Sequence, residues 1–241
     1  RLNLNRLFAI LYFMQKPPFI EDEIYHIYNR GVEKRDVFTN DKDYFRFIHD
    51  LFEFNDENSA LNVAYYFNPK TMEVQPQYLQ KERKPRKLLV EILAFALMPN
   101  HFHLLLRQKS ENGLVKFMQK LGTGYTMYFN KKYERVGSLF QGRFKAVHIN
   151  QEAHFIHLPF YIHTNPLSLN YGGSTSIDFL ENYRWSSYLD YIGKKNFPSV
   201  TSREFLLEFF GGEKGCKKAT EKWLQEKGEN TEKIEDAVWE D

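Results

Sequence analysis

The apolar run from Leu88 to Met98 stops at the turn dipeptide Pro99-Asn100 and resumes as His101-Phe102-His103-Leu104-Leu105-Leu106-Arg107. Two apolar stretches flanking a turn signal read as a β-hairpin, which commits this part of the chain to an antiparallel sheet. Side chains alternate faces along a strand, so His101 and His103 share one face while Phe102 turns to the core. Two imidazoles side by side can hold a cation. A second pattern, Tyr161-Ile162-His163-Thr164-Asn165-Pro166, sets a tyrosine and an amide four residues apart, on one face of a helix. Together the two patterns suggest a tyrosine nucleophile beside a metal.

On its own an HxH pair is more often two strand histidines without a ligand, and with 15 tyrosines in the chain a helical tyrosine is usually packing. Tyr125, Tyr128 and Tyr133, on the helical pattern that follows the hairpin, rival Tyr161. A zinc hydrolase is the competing metal reading. It needs a third His, Cys or carboxylate, and neither His148 nor His157 has a firm claim.

Around the hairpin, Ile24 to Gly31 alternates as a strand. Asp41 reads as the N-cap of a helix over about 41–55, and residues 56–87, with Pro69, Pro76 and Pro85, read as a long irregular insertion. A helix follows from Gly113 to about Tyr133, then a glycine-punctuated loop entering a short strand near Lys145–His148. A last helix over 151–165 contains Pro159, which kinks it unless it lies near the first turn. The order β-α-β-β-α-β plus a helix predicts an α+β, ferredoxin-like (RRM-like) split βαβ fold, a central antiparallel sheet with helices on one face. A helical C-terminal extension ends in a charged tail.

A formal net charge of +2 gives no global basic field, so any nucleic-acid surface must be local. Lys81, Arg83, Lys84, Arg86 and Lys87 face only Glu82, and Lys131, Lys132, Arg135, Arg143 and Lys145 face only Glu134. The first cluster is a solvated loop or a hairpin-DNA contact. The single cysteine, Cys216, excludes an intramolecular disulfide and fits a reducing compartment, with the cytoplasm as the expected location. No stretch reaches the roughly 20 apolar residues that span a bilayer, so no membrane partner is expected. Met14 reads as a natural start, which would make residues 1–13 an extension rather than a signal peptide.

These motifs, taken with Tyr28-Asn29-Arg30-Gly31, Gln141-Gly142-Arg143-Phe144-Lys145 and Trp185-Ser186-Ser187-Tyr188, are similar to those of HUH-superfamily transposases of the IS200/IS605 type. They resemble most the REP-associated tyrosine transposases, over roughly residues 23–193. The resemblance implies an N-terminal extension over 1–20, a catalytic domain over 21–170 and a C-terminal extension over 171–241. It implies Tyr161 as nucleophile, with His101, His103 and Asn165 holding Mg²⁺ or Mn²⁺; an amide carbonyl suits such a hard cation, and two imidazoles plus one oxygen leave positions open for phosphate.

A free tyrosine titrates near ~10, so it would need the metal-bound phosphate to attack at neutral pH. The implied product is a 5′-phosphotyrosine and a free 3′-hydroxyl, formed on single-stranded DNA at or near a hairpin. Arg30, Arg35, Arg143 and Lys145 are the expected phosphate contacts, and Tyr28 or Phe140 the expected stacking rings. Trp185 is expected in the core. A monomer or a homodimer is compatible with the resemblance. It also leaves open a hairpin-binding protein that does not cut, and a rolling-circle initiator or relaxase, although no helicase motif follows.

Overall fold

The computed structural model describes residues 19–58, 65–68, 73–76, 85–150, 152–170 and 176–227. The segment before residue 19, the basic residues 81–84 and the acidic tail beyond 227 lie outside them. The elements run β1 (Ile24–Arg30), α1 (Asp41–Glu53), β2 (Tyr65–Asn68), β3 (Glu73–Pro76), β4 (Val90–Met98), β5 (His101–Gln108), α2 (Gly113–Lys132), β6 (Lys145–His148) and α3 (Glu152–Thr164). The C-terminal part adds α4 (Ser176–Asn182), α5 (Tyr188–Tyr191), α6 (Glu204–Phe210) and α7 (Gly212–Lys227).

The main sheet has the order β4-β5-β1-β6, and every neighbouring pair is antiparallel. This is the ferredoxin-like order that the βαββαβ sequence predicts. Within the stretch read as irregular, β2 and β3 pair as a separate two-stranded sheet; at four residues each they are too short to show a period. The cap of α1 is Asn40 rather than Asp41, its side chain accepting from the Lys42 N–H at 3.1 Å.

Strand alternation sorts the core onto two faces. Ile27, Phe102, Leu104 and Leu106 meet Phe47, Ile48 and Leu51 of α1 and Leu114, Phe117, Leu121 and Tyr125 of α2. Burying each such side chain contributes about 1.5–3 kcal/mol. The two helices of the split βαβ repeat therefore lie on one face. The opposite face is covered as well, because Leu93, Ala94, Ala96 and Leu105 pack with Leu158, Tyr161 and Ile162 of α3 and with Tyr191, Leu206 and Cys216 of the extension. Alanines on β4 let α3 approach closely. Pro159 falls inside α3, where it withholds one helical N–H.

The Trp-Ser-Ser block has a second use beyond packing. The Leu97 N–H donates to Trp185 O and the Ser187 N–H to Phe95 O, with Ser186 bridged antiparallel to Ala96. Residues 185–187 thus cover the β4 edge, which would otherwise present unpaired backbone groups. Trp185 itself is buried, stacked on Tyr44 at 4.4 Å between ring centroids.

Candidate active site

The β1–β5 register decides which side chains share a neighbourhood. Arg30 lies opposite His101, Tyr28 opposite His103 and His26 opposite Leu105, while Lys145 and Val147 of β6 lie opposite Tyr28 and His26. Directly opposed residues face the same way, so all of these stand on the face that α3 covers. α3 packs over the β4 and β5 side of it. Tyr28, Arg30, Lys145 and Val147 occupy the β1–β6 side, with Lys145 and Val147 exposed.

Residues sixty positions apart meet where α3 ends. The rings of His101 and His103 are 5.1 Å apart at 88°. The Tyr161 ring stands edge-on to His103 at 5.6 Å and to His26 at 6.1 Å. Asn165 opens the short 3₁₀ turn after α3, and its Oδ1 lies 3.2 Å from His101 Nε2. All four residues of the two sequence patterns are thus in one place. Tyr161 is 5% exposed. Its rivals are elsewhere: Tyr125 is wholly buried in the α1–α2 core and donates to Val37 O, while Tyr128 and Tyr133 donate to Asp43.

Burial holds the imidazoles neutral. It pushes His101 down to about 4 and His26 to about 3, and it lowers His103 well below the usual histidine range, with His26 and His101 adding to the effect. Neutral rings keep the lone pairs a cation needs. The donor set fits a hard divalent ion. His101 Nε2 and Asn165 Oδ1, 3.2 Å apart, are near enough for both to reach one ion, and they would hold it together with His103. The site also lies at the C-terminus of α3, the end of a helix that favours positive charge. Among the described residues no group of three His, Cys, Asp or Glu side chains could hold a metal, so the three-ligand set that a zinc hydrolase uses is not assembled among them. His148 is instead 2.9 Å from Glu23.

Of the expected DNA contacts, Arg30 and Lys145 stand on the site face, and Arg143 is exposed in the turn entering β6. That turn needs Gly142, whose φ is 98° and whose carbonyl accepts from Asn29 Nδ2. Arg35 lies in the turn after β1, where it donates to Val32 O and pairs with Glu33. Phe140 is buried against Phe102, so of the two stacking candidates it belongs to the core. In the basic stretch, Arg86 donates to Phe52 O and stacks on the Phe52 ring, a structural use.

Two site residues were not singled out from sequence. His26 lies with its Nε2 2.9 Å from His103 Nδ1, and Asn100 with its Oδ1 2.6 Å from His101 Nδ1. The alternation that pairs His101 with His103 also puts His26, Tyr28 and Arg30 on one face of β1; the signal was there, but not the register joining the two strands.

Residues 68–165, a span that includes both histidines and ends on Asn165, match the family model of IS200-like transposases. A solved structure of a REP-associated tyrosine transposase bound to a REP hairpin is similar over 79% of this chain and 91% of that one, at 12% identity and a TM-score of 0.46. No curated protein matches the chain.

Proposed function

We propose that this protein is a divalent-metal-dependent endonuclease and strand transferase for single-stranded DNA at or near hairpins, a transposase with Tyr161 as nucleophile. The observation that carries this reading is the meeting of Tyr161, His101, His103 and Asn165 at the end of α3, inside the segment matched to the IS200-like transposases.

In this reading His101, His103 and Asn165 hold Mg²⁺ or Mn²⁺, which when bound would polarise the scissile phosphate and offset the charge developing in the transition state. Tyr161 Oη attacks phosphorus and gives up its proton to solvent or a nearby base. The bond from phosphorus to the 3′ oxygen of the upstream nucleotide breaks, and that oxygen leaves as a hydroxyl after gaining a proton. One phosphodiester is exchanged for another, so attack by a second 3′-hydroxyl rejoins a strand without ATP. Arg30, Lys145 and Arg143 contact phosphates, and Tyr28, half-buried beside His103, offers a ring to a base.

The test incubates the full chain with Mn²⁺ and labelled single strands carrying imperfect-palindrome hairpins. A covalent protein–DNA adduct is expected, and it disappears in Tyr161→Phe. An adduct that persists in Tyr161→Phe removes the nucleophile assignment. His101→Ala should abolish the adduct while hairpin binding persists, and cleavage by that variant would overturn the metal model. Binding without any adduct across such hairpins would favour a protein that recognises hairpins and does not cut them.

A further inference from the structure

A histidine ligates only through a ring nitrogen that carries no proton, so the tautomer of each ligating ring is part of the site. Around His101 the choice traces back to the turn after β1. Glu33 and Lys34 both take left-handed backbone angles, φ 55° and 60°, an unusual pair of consecutive non-glycine residues. Asn100 Nδ2 donates to the Lys34 carbonyl at 3.2 Å, which turns the other end of the amide, Oδ1, toward His101 Nδ1 at 2.6 Å. An amide oxygen only accepts. Both ring nitrogens of His101 face such an oxygen, and the nearer contact, to Asn100, assigns the proton to Nδ1 and leaves Nε2 its lone pair on the side of Asn165, 3.2 Å away. At His103 the partner is an imidazole: His26 Nε2 lies 2.9 Å from His103 Nδ1, the rings stacked at 5.1 Å and 14°, with both residues buried.

We propose that Asn100 and His26 are positioning residues that hold His101 and His103 in the Nδ1–H tautomer, so that both rings present Nε2 to a divalent cation. In this arrangement His103 donates from Nδ1 to His26 Nε2, and the proton of His26 sits on its own Nδ1. The proposal rests on the metal-dependent reading given above for its use, but the tautomers themselves are properties of the metal-free protein.

Long-range ¹⁵N–¹H correlation spectra of the metal-free full chain report which nitrogen of each ring is protonated. Nδ1–H on both His101 and His103 is expected, and Nε2–H on either overturns the proposal. Mn²⁺ binding, followed by electron paramagnetic resonance, reads the consequence. Asn100→Ala should weaken it by about 10–100-fold, the usual effect of losing such a partner. Asn100→Asp restores an acceptor for His101 but cannot donate to Lys34 O. Recovery toward wild-type affinity is expected there, and a loss as large as in Asn100→Ala would show that the amide acts only through the turn, overturning its assigned role. His26→Gln, which keeps an acceptor, should bind Mn²⁺ far better than His26→Leu, and equal binding by the two overturns the role of His26. If the wild-type chain binds no Mn²⁺, the metal-dependent reading fails, and the ring spectra still decide the tautomers.

Discussion

At the residue scale, two glycines near the site serve different physical needs. A Cβ on Gly31 would lie 2.2 Å from the Arg35 carbonyl oxygen, so glycine is required there by the close return of the turn, although its φ of −59° suits any residue. Around Gly142 a Cβ would meet nothing within 4 Å, yet φ is 98°, so glycine is required there by backbone angle alone. Gly31→Ala should therefore push the Val32–Arg35 turn outward and cost about 1–3 kcal/mol, as overpacking does. It should also weaken Mn²⁺ binding, because Lys34 O orients Asn100. Gly142→Ala should cost about 1 kcal/mol of strain and leave Mn²⁺ binding intact, while loosening DNA where Arg143 and Lys145 enter β6. Urea unfolding and Mn²⁺ titration separate the two, and equal Mn²⁺ affinities would remove the link between the turn and the metal site. His101, His103, Tyr161 and Asn165 could be grouped from sequence because each pair obeys a local period, two on a strand and four on a helix. Asn100 and His26 could not, since their contacts depend on how one strand registers against another and on the conformation of a turn without a repeating pattern.

At the scale of elements, the helix carrying Tyr161 is held in place by the C-terminal extension. His163, two residues after Tyr161 and buried, has its Nε2 2.8 Å from Ser187 Oγ, and the same oxygen accepts from the Phe95 N–H at 2.9 Å. One serine thus joins α3, the β4 edge and the segment covering that edge. Ser187→Ala leaves buried polar groups without their partner, at about 1–3 kcal/mol each. The expected result is a lower urea midpoint and an adduct rate that falls more than hairpin affinity does. An unchanged adduct rate in a destabilised variant would mean that α3 keeps its place without this contact. The order of the sheet was legible because the apolar runs, the Pro-Asn turn and the helical periods follow one another as the split βαβ requires. The use of residues 185–187 as an edge strand was not, since three residues are too few to display alternation.

At the scale of the whole molecule, the β4–β5 side of the sheet is covered on both faces, whereas the element pattern by itself placed helices on one. The unbroken apolar runs Ile92 to Met98 and Leu104-Leu105-Leu106 are the physical mark of that arrangement, for a strand with one wet face alternates and these do not. Double coverage also buries histidines on the second face, with a consequence for acid stability. Burial pushes His26 and His163 down to about 3, and both are almost fully enclosed, at 1% and 4% exposure. In the unfolded chain each titrates near 6.5. Above that pH both states are neutral at these rings and stability is independent of pH through them. As the pH falls below 6.5 the unfolded chain takes up protons that the folded chain refuses, so stability declines until the folded rings titrate near 3 and the loss levels off. At pH 5 each ring costs about 2 kcal/mol, or about 4 kcal/mol for the two, in a window still above the range where most carboxylates protonate. Urea unfolding at pH 7 and pH 5 should show at least this drop, because burial lowers His101 and His103 as well and their loss has the same sign. His163→Asn, whatever its own stability, should lose about 2 kcal/mol less than the wild type between the two pH values. A drop as large as that of the wild type would mean that His163 is not one of the linked protons, and that its enclosure between α3, Ser187 and the extension does not persist in solution.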